Sequence, residues 1–307
     1  MTEWPNVRNA TDCPGEYQGS LIFGRSADLH VHSTASDGLL PPDELVSLAV
    51  EKDLTAIAIA DHDTTSGVEA LSQLAGGVRS QLDTVFYGGM EVVPAIEINS
   101  DWEGRELHVL GYFVPLGDGH FQDLLKRLRT GRKGRADKMI ARLRQLGMGI
   151  DKERVLELAK GESIGRPHIA AAMVEKGYVS TVKEAFDKYI GIGKTAYVER
   201  ERLSPKHSVT AIRSSGGVAV WAHPGTARAD HLLGELMEYG LRGLEAYHPE
   251  HSPEKEAEYI ELARRHNLCV TGGSDYHGSS SGEGGDLGDY RVGYETVAQI
   301  RNLSDLS

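Results

Sequence analysis

Hydrophobic and polar positions change period twice along the chain. From Ala27 onward, short runs rich in apolar and β-branched residues recur at 27–32, 56–60, 92–98, 107–113, 217–221, 243–247 and 268–271. Segments with helix signals separate several of them, a pattern that predicts an α/β domain of parallel strands joined by crossover helices. Pro41-Pro42-Asp43-Glu44 opens one helix with proline and acids in its first turn, and Ser204-Pro205 opens another with an N-cap followed by proline. Between 117 and 202 the strand signal disappears, and successive helices are expected with breaks at Gly131, Gly147, Gly161, Gly177 and Gly191. Because strand-like runs resume afterwards, 117–202 reads as an α-helical insertion in one domain made of 25–116 and 203–307. Residues 1–24 show no sustained period and are expected to form an extension. The Gly- and Ser-rich stretch 278–288 is expected to be a mobile loop.

Composition narrows the class. The 307 residues carry 33 Lys+Arg against 45 Asp+Glu, a net charge of −12, together with 13 histidines. No apolar run approaches the roughly 18 residues of a membrane span, and the N-terminus lacks a basic start followed by an apolar stretch, so a cytoplasmic protein without membrane partners is expected. Cys13 and Cys269 are the two cysteines. They are too few for a disulfide framework or a cysteine zinc site, so any bound metal must be held by histidine and carboxylate.

The richest chemical signal is DLHVHSTASDG, residues 28–38. His30 and His32 lie two apart on a strand-like run, which puts both imidazoles on one face and within reach of one ion. Such a pair by itself is also compatible with a structural role. Ligand-type residues recur, however, at nearly every strand-like run: Asp61-His62-Asp63, Glu97, His108, His223, His248, and Asp275 with His277. In a barrel of parallel strands the C-terminal strand ends converge on one mouth. His120, His207, His231, His251 and His266 match no such position and read as ordinary histidines.

Four ordered motifs, DLHVHSTASDG, IADHDT, Glu97 and His108 with the AHP of 222–224, and the GSDYHG of 273–278, resemble the PHP superfamily, named for polymerase and histidinol phosphatase domains. The resemblance implies a distorted (β/α)7, TIM-like barrel holding two to three divalent metal ions, with Mn the first choice and Fe, Zn or Mg as alternatives. It implies one metal at His30, His32, Glu97 and Asp275, a second at Glu97, His108 and His223 with Glu97 bridging, and a third at Asp37, His62 and His277. Many relatives carry histidine where this chain has Asp37, and the extra oxygen favours Mn or Mg over Zn there. Two ions sharing a carboxylate activate water near neutral pH, which suits phosphoester hydrolysis.

A basic segment follows from Lys126 to Arg144, with nine Lys or Arg against the single acid Asp137. In an otherwise acidic chain this reads as a clamp for a substrate with more than one phosphate, and the acidic surroundings argue against double-stranded DNA. Gly165-Arg166-Pro167-His168 places cationic side chains beside a helix N-terminus, an anion-binding arrangement. By resemblance to nucleotide-hydrolysing PHP proteins, Arg166 and His168 are expected on one phosphate and Arg132, Lys133 and Arg135 on a second. The expected reaction converts a nucleoside 3′,5′-bisphosphate to a nucleoside 5′-monophosphate (AMP) and phosphate. Glu97 organises the catalytic water, and His248, His168 or Asp63 is the general acid; His248 also contacts substrate. A 5′→3′ exoribonuclease acting on short RNA ends is the alternative, ahead of an amidohydrolase-type C–N hydrolase or a non-catalytic PHP module. Gly191-Ile192-Gly193-Lys194-Thr195 ends like a P-loop but lacks its first glycine and its preceding strand.

Overall fold

The computed structural model describes residues 24–304 except 81, 104, 118, 161–162, 200–202 and 280–283. The expected N-terminal extension, apart from Gly24, and the expected break at Gly161 lie outside them. The strand-like runs become β1 (Ser26–Val31), β2 (Ala56–Ile59), β3 (Val78–Arg79), β4 (Val85–Tyr87), β5 (Met90–Trp102), β6 (Arg105–Tyr112), β7 (Val218–Trp221), β8 (Leu241–Tyr247), β9 (Cys269–Gly272) and β10 (Val292–Gly293). They form one sheet in the order β10-β1-β2-β5-β6-β7-β8-β9, with β3 and β4 attached beside β5. The sheet curls until β1 meets the chain after β9. The His32 N–H donates to the Tyr276 carbonyl at 2.9 Å, and Val31 bridges Tyr276. The result is a nearly closed barrel.

The expectation of uniformly parallel strands is corrected here. β1 and β2, β2 and β5, β7 and β8, and β8 and β9 pair in parallel, but β6 is antiparallel to both β5 and β7. The reason is connection length: two residues separate Trp102 from Arg105, whereas a parallel crossover needs a dozen or more. β5 and β6 therefore form a long hairpin, paired from Ala95–Tyr112 to Trp102–Arg105.

The helices are α1 (Pro42–Glu51), α2 (Ser66–Gln73), α3 (Gly119–Gln145), α4 (Lys152–Ala159), α5 (Arg166–Glu175), α6 (Val182–Ala185), α7 (Pro205–Ser214), α8 (Pro224–Ala227), α9 (Leu233–Tyr239), α10 (Pro253–Arg265) and α11 (Tyr294–Leu303). Pro42 starts α1 and a Ser204 side chain caps α7, as the sequence indicated. The expected break at Gly131 does not occur, because α3 runs unbroken through 27 residues. Gly131 lies on its open side, where an added Cβ would meet nothing, while Leu125, Leu128, Arg132, Ala136, Met139 and Leu143 form the buried stripe. A glycine costs about 1 kcal/mol in a helix, less than such a stripe contributes. α3 spans two cores. Phe121, Leu125 and Leu128 pack with Ile98, Val109, Trp221 and Leu244 of the barrel, and Ala136, Met139, Ile140 and Leu143 pack with Val155, Ile169, Ala185 and Val198.

The described part of the Gly-rich stretch is not loose as expected. Gly285 N–H donates to Ser274 O at 2.6 Å, Gly288 N–H donates to Asp28 Oδ2 at 2.8 Å, and Leu287 is buried; 280–283 lie outside the described residues. Among the described residues no helix is long and apolar enough to cross a membrane.

Candidate metal centre and substrate cavity

Alternation along β1, continued one residue past its end, puts His30 and His32 on the same face, and both are fully buried. The turn that follows is fixed by Asp61, which accepts from Ser33 N–H (2.8 Å), Ser33 Oγ (2.7 Å) and Ser36 Oγ (2.6 Å). Burial pushes the Asp61 carboxyl up to about 6, against the pull of the serine hydrogen bonds. This turn delivers Asp37 to the site. Glu97 lies midway along β5 and His108 opposite Asn99 in the β5–β6 ladder. His62 and His223 follow β2 and β7, and His248, Asp275 and His277 follow β8 and β9.

These side chains converge around Glu97. Its Oε2 is 3.6 Å from His30 Nε2, 3.4 Å from His32 Nε2 and 2.8 Å from His62 Nδ1, and its Oε1 is 2.6 Å from His108 Nδ1 and 3.2 Å from His223 Nε2. Asp275 Oδ1 sits 3.4 Å from His30 Nε2 and 3.1 Å from His32 Nε2. A further group surrounds Asp37, with Oδ2 3.7 Å from His62 Nε2 and Oδ1 3.6 Å from His277 Nε2. Four sets have donor atoms within 4.8 Å of one another: Glu97, His108 and His223; His30, His32 and Asp275; His32, Asp37, His62 and His277; and His30, Glu245 and His248.

Burial would raise the Glu97 carboxyl, but His62, His108 and His30 hold it well below the usual range. Asp37 and Asp275 are likewise held far down against burial, by His62 and His277 and by His30 and His277 respectively. Burial alone would depress His30, yet Glu245, Asp275 and Glu97 raise it well above the ordinary value. His32 is pulled down to about 4, by burial and then by the charge of His277.

The hydrogen bonds fix the tautomers of the site histidines. His30 Nδ1 lies 3.0 Å from Glu245 Oε1, His277 Nδ1 2.7 Å from the Asp275 carbonyl, His32 Nδ1 3.5 Å from Ser36 Oγ and His223 Nδ1 3.1 Å from Thr226 Oγ1. The two hydroxyls donate elsewhere, to Asp61 and to the His223 carbonyl, so all four partners accept. In their neutral forms these histidines carry the proton on Nδ1 and turn the Nε2 lone pair into the site, the usual second-layer support of a metal ligand. Buried His30 Nε2, His32 Nε2 and Asp37 Oδ1 find no hydrogen-bond partner among the described residues. A closed set of nitrogen and carboxylate donors with orphaned lone pairs fits divalent cations. His248 is arranged in the opposite sense. Its Nδ1 accepts from Glu250 N–H at 3.2 Å, which leaves the proton on Nε2, 3.6 Å from Asp275 Oδ2.

The centre forms the floor of a cavity of about 990 Å³ roofed by the helical segment. Of the expected catalytic and substrate residues, Glu97, Arg132, Arg135, Arg166 and His248 line it, while Lys133, His168 and Asp63 do not. Lys133 follows Arg132 by one position and faces solvent. Buried His168 turns its Nδ1 back to accept Gly165 N–H at 3.0 Å, capping α5. Asp63 accepts from Arg132 Nε at 2.6 Å, so it anchors α3 to the chain that follows β2.

Three participants escaped sequence reasoning, and Asp61, noted there as ligand-type, fixes the β1 turn instead. Glu245 orients His30 and also accepts the His223 N–H at 2.8 Å. Asn99 accepts from Arg132 and places its amide 2.6 Å from His108 Nε2. Glu106 holds Arg166 with both carboxylate oxygens at 2.9 Å. A lone acid within an apolar strand run was the available signal for Glu245.

The PHP domain family matches residues 28–202. The chain belongs to the PHP domain family. Within it, this chain is 33% identical over 255 residues to 5′-3′ exoribonuclease Rnm of Salmonella typhimurium, covering 81% of this chain and 84% of the relative. It is 33% identical over 255 residues to a phosphoribosyl 1,2-cyclic phosphate 1,2-diphosphodiesterase of Eggerthella lenta (82% and 94%). Identity to a 3′,5′-nucleoside bisphosphate phosphatase of Chromobacterium violaceum is 31% over 268 residues (85% and 90%). A crystal structure from Bifidobacterium adolescentis, assigned as a metal-dependent phosphoesterase, superposes with a TM-score of 0.79 at 31% identity, covering 91% of this PHP chain and 96% of that one.

Proposed function

We propose that this PHP protein is a metal-dependent phosphoesterase that removes the 3′-phosphate of a nucleoside 3′,5′-bisphosphate, yielding a nucleoside 5′-monophosphate such as AMP. The observation that carries the reading is the coincidence, in one cavity, of a cation-binding floor, arginines, and an apolar wall that includes Met139, Ile164 and Phe186. Divalent ions bound there neutralise the phosphoryl oxygens and activate water. Up to three such ions fit the donor sets, and the oxygen of Asp37 favours Mn or Mg over Zn at the third. Arg166, stacked 5.2 Å over the Phe186 ring, faces the scissile phosphate once it exchanges Glu106 for the substrate. The apolar wall receives the base and keeps water from the reacting end.

His248 is assigned as the general acid. It alone among the three possibilities both lines the cavity and carries its proton on the inward nitrogen. His248→Asn is expected to lower kcat on nucleotide substrates roughly 10²-fold. Metal content should stay normal and the loss should be smaller on an aryl phosphate, whose leaving group needs no proton; a variant that loses metal would make His248 a ligand.

The exoribonuclease relative, at the higher identity, favours a second reading: a 5′-phosphorylated short RNA enters the same site. Phosphate release and product analysis on a nucleoside bisphosphate, a monophosphate, histidinol phosphate and a 5′-phosphorylated oligoribonucleotide separate the two. The bisphosphate is expected to give the highest kcat/KM with Mn. No release from any substrate under metal loading refutes the phosphoesterase reading.

A further inference from the structure

Five arginines line the cavity among the described residues, and they divide into two groups. Three come from the helical segment. Arg132 is bound to Asp63 and Asn99, Arg166 to Glu106, and Arg135 donates through Nε to Val198 O at 2.7 Å while stacking 5.1 Å over Tyr197. The other two, Arg105 and Arg228, come from the barrel rim. Arg105 starts β6 at the tip of the long hairpin, and Arg228 follows α8, five residues beyond His223. Arg105 Nη1 donates to the Arg228 carbonyl at 3.2 Å, which ties the hairpin tip to the α8 turn. Neither guanidinium forms an ion pair with a described carboxylate.

The backbone adds a second observation. Arg228 occupies the left-handed region (φ 49°, ψ 45°) at the C-cap of α8, a position where glycine or asparagine is the relaxed choice. This turn, tied to the hairpin by the Arg105 hydrogen bond, fixes the point from which the Arg228 side chain leaves the backbone at the cavity wall.

We propose that Arg105 and Arg228 form the subsite for the second phosphate of the substrate, the one that is not cleaved. This rests on the reading of the site as a nucleotide phosphoesterase and moves the second anion site from the insertion arginines to the barrel rim. A phosphate there gains charge-assisted hydrogen bonds from two arginines without displacing an internal ion pair, whereas a phosphate on Arg132 or Arg166 must compete with Asp63 or Glu106. The same chemistry serves the 5′-phosphate of a bisphosphate or the next linkage phosphate of a short RNA.

The test uses the metal-loaded protein with Arg105→Ala and Arg228→Gly; the glycine relieves the backbone rather than straining it. Kinetics are compared on a nucleoside 3′,5′-bisphosphate, the matching 3′-monophosphate and a 5′-phosphorylated oligoribonucleotide. KM for a two-phosphate substrate should rise roughly 10- to 100-fold in each variant, the worth of one charge-assisted hydrogen bond. The 3′-monophosphate and the metal content should be unaffected. A loss confined to the oligoribonucleotide assigns the subsite to the linkage phosphate. Equal losses on the mono- and bisphosphate, or no loss on either two-phosphate substrate, overturn the proposal. If wild type hydrolyses none of them, the functional reading fails, and the subsite is then decided by calorimetric binding of adenosine 3′,5′-bisphosphate. Weaker binding by the variants supports the subsite, and an unchanged Kd removes it.

Discussion

Glu97→Gln is expected to lower phosphate release by roughly 10³-fold or more and to cost at least one bound metal ion, with the fold intact. The substitution preserves side-chain volume, so packing is conserved. What it removes is an anion that five imidazoles approach, His30, His32 and His62 at one oxygen and His108 and His223 at the other. An amide offers one weak acceptor and one donor there, and the donor faces lone pairs meant for a cation. Loss of a Lewis acid from phosphoryl transfer is worth several kcal/mol, which sets the expected factor. Elemental analysis beside phosphate release checks it. Full metal content with wild-type turnover would falsify the bridging role of Glu97.

Gly273→Ala is the second large effect, and its cause is space alone. A Cβ at Gly273 would stand 2.3 Å from His30 Cβ, 2.4 Å from His30 N and 2.8 Å from His30 Cα. These are main-chain and Cβ atoms of the strand that carries His30 and leads into His32, so no rotamer change relieves the clash. β1 and the end of β9 must separate where the barrel closes. A destabilisation of about 3 kcal/mol or more is expected, a fall in Tm of roughly 6–12 °C, together with weakened metal retention. Gly131→Ala is the control, since its Cβ meets nothing within 4 Å. Equal Tm values for the two variants would show that the barrel seam tolerates opening.

Much of the site was legible in the sequence because it depends on short-range rules. The two-residue spacing of His30 and His32 fixes their common face, and strand ends collect at one mouth, so His62, His223, Asp275 and His277 could be placed without coordinates. Strand direction was less legible: apolar runs look alike in either sense, and only the short link between β5 and β6 carried the information. Glu245, Asn99 and Glu106 were missed for a related reason. Each acts on a partner far away in sequence, His30, Arg132 and Arg166, and periodicity says nothing about such pairs. The arginine segment showed the opposite limit. Its charge was plain, but whether each guanidinium met substrate, carboxylate or carbonyl depended on the fold around it.

The two cores joined by α3 bear on how freely this molecule can be taken apart. Its first turns supply Phe121, Leu125 and Leu128 to the barrel and its last turns supply Met139 and Leu143 to the helical segment. Excising the segment at its sequence borders would therefore strip the barrel of side chains it needs, and swapping in another family member's segment works only if the graft is cut in mid-helix. Near Gly131, where the exposed face has no neighbours, a splice would leave both cores whole.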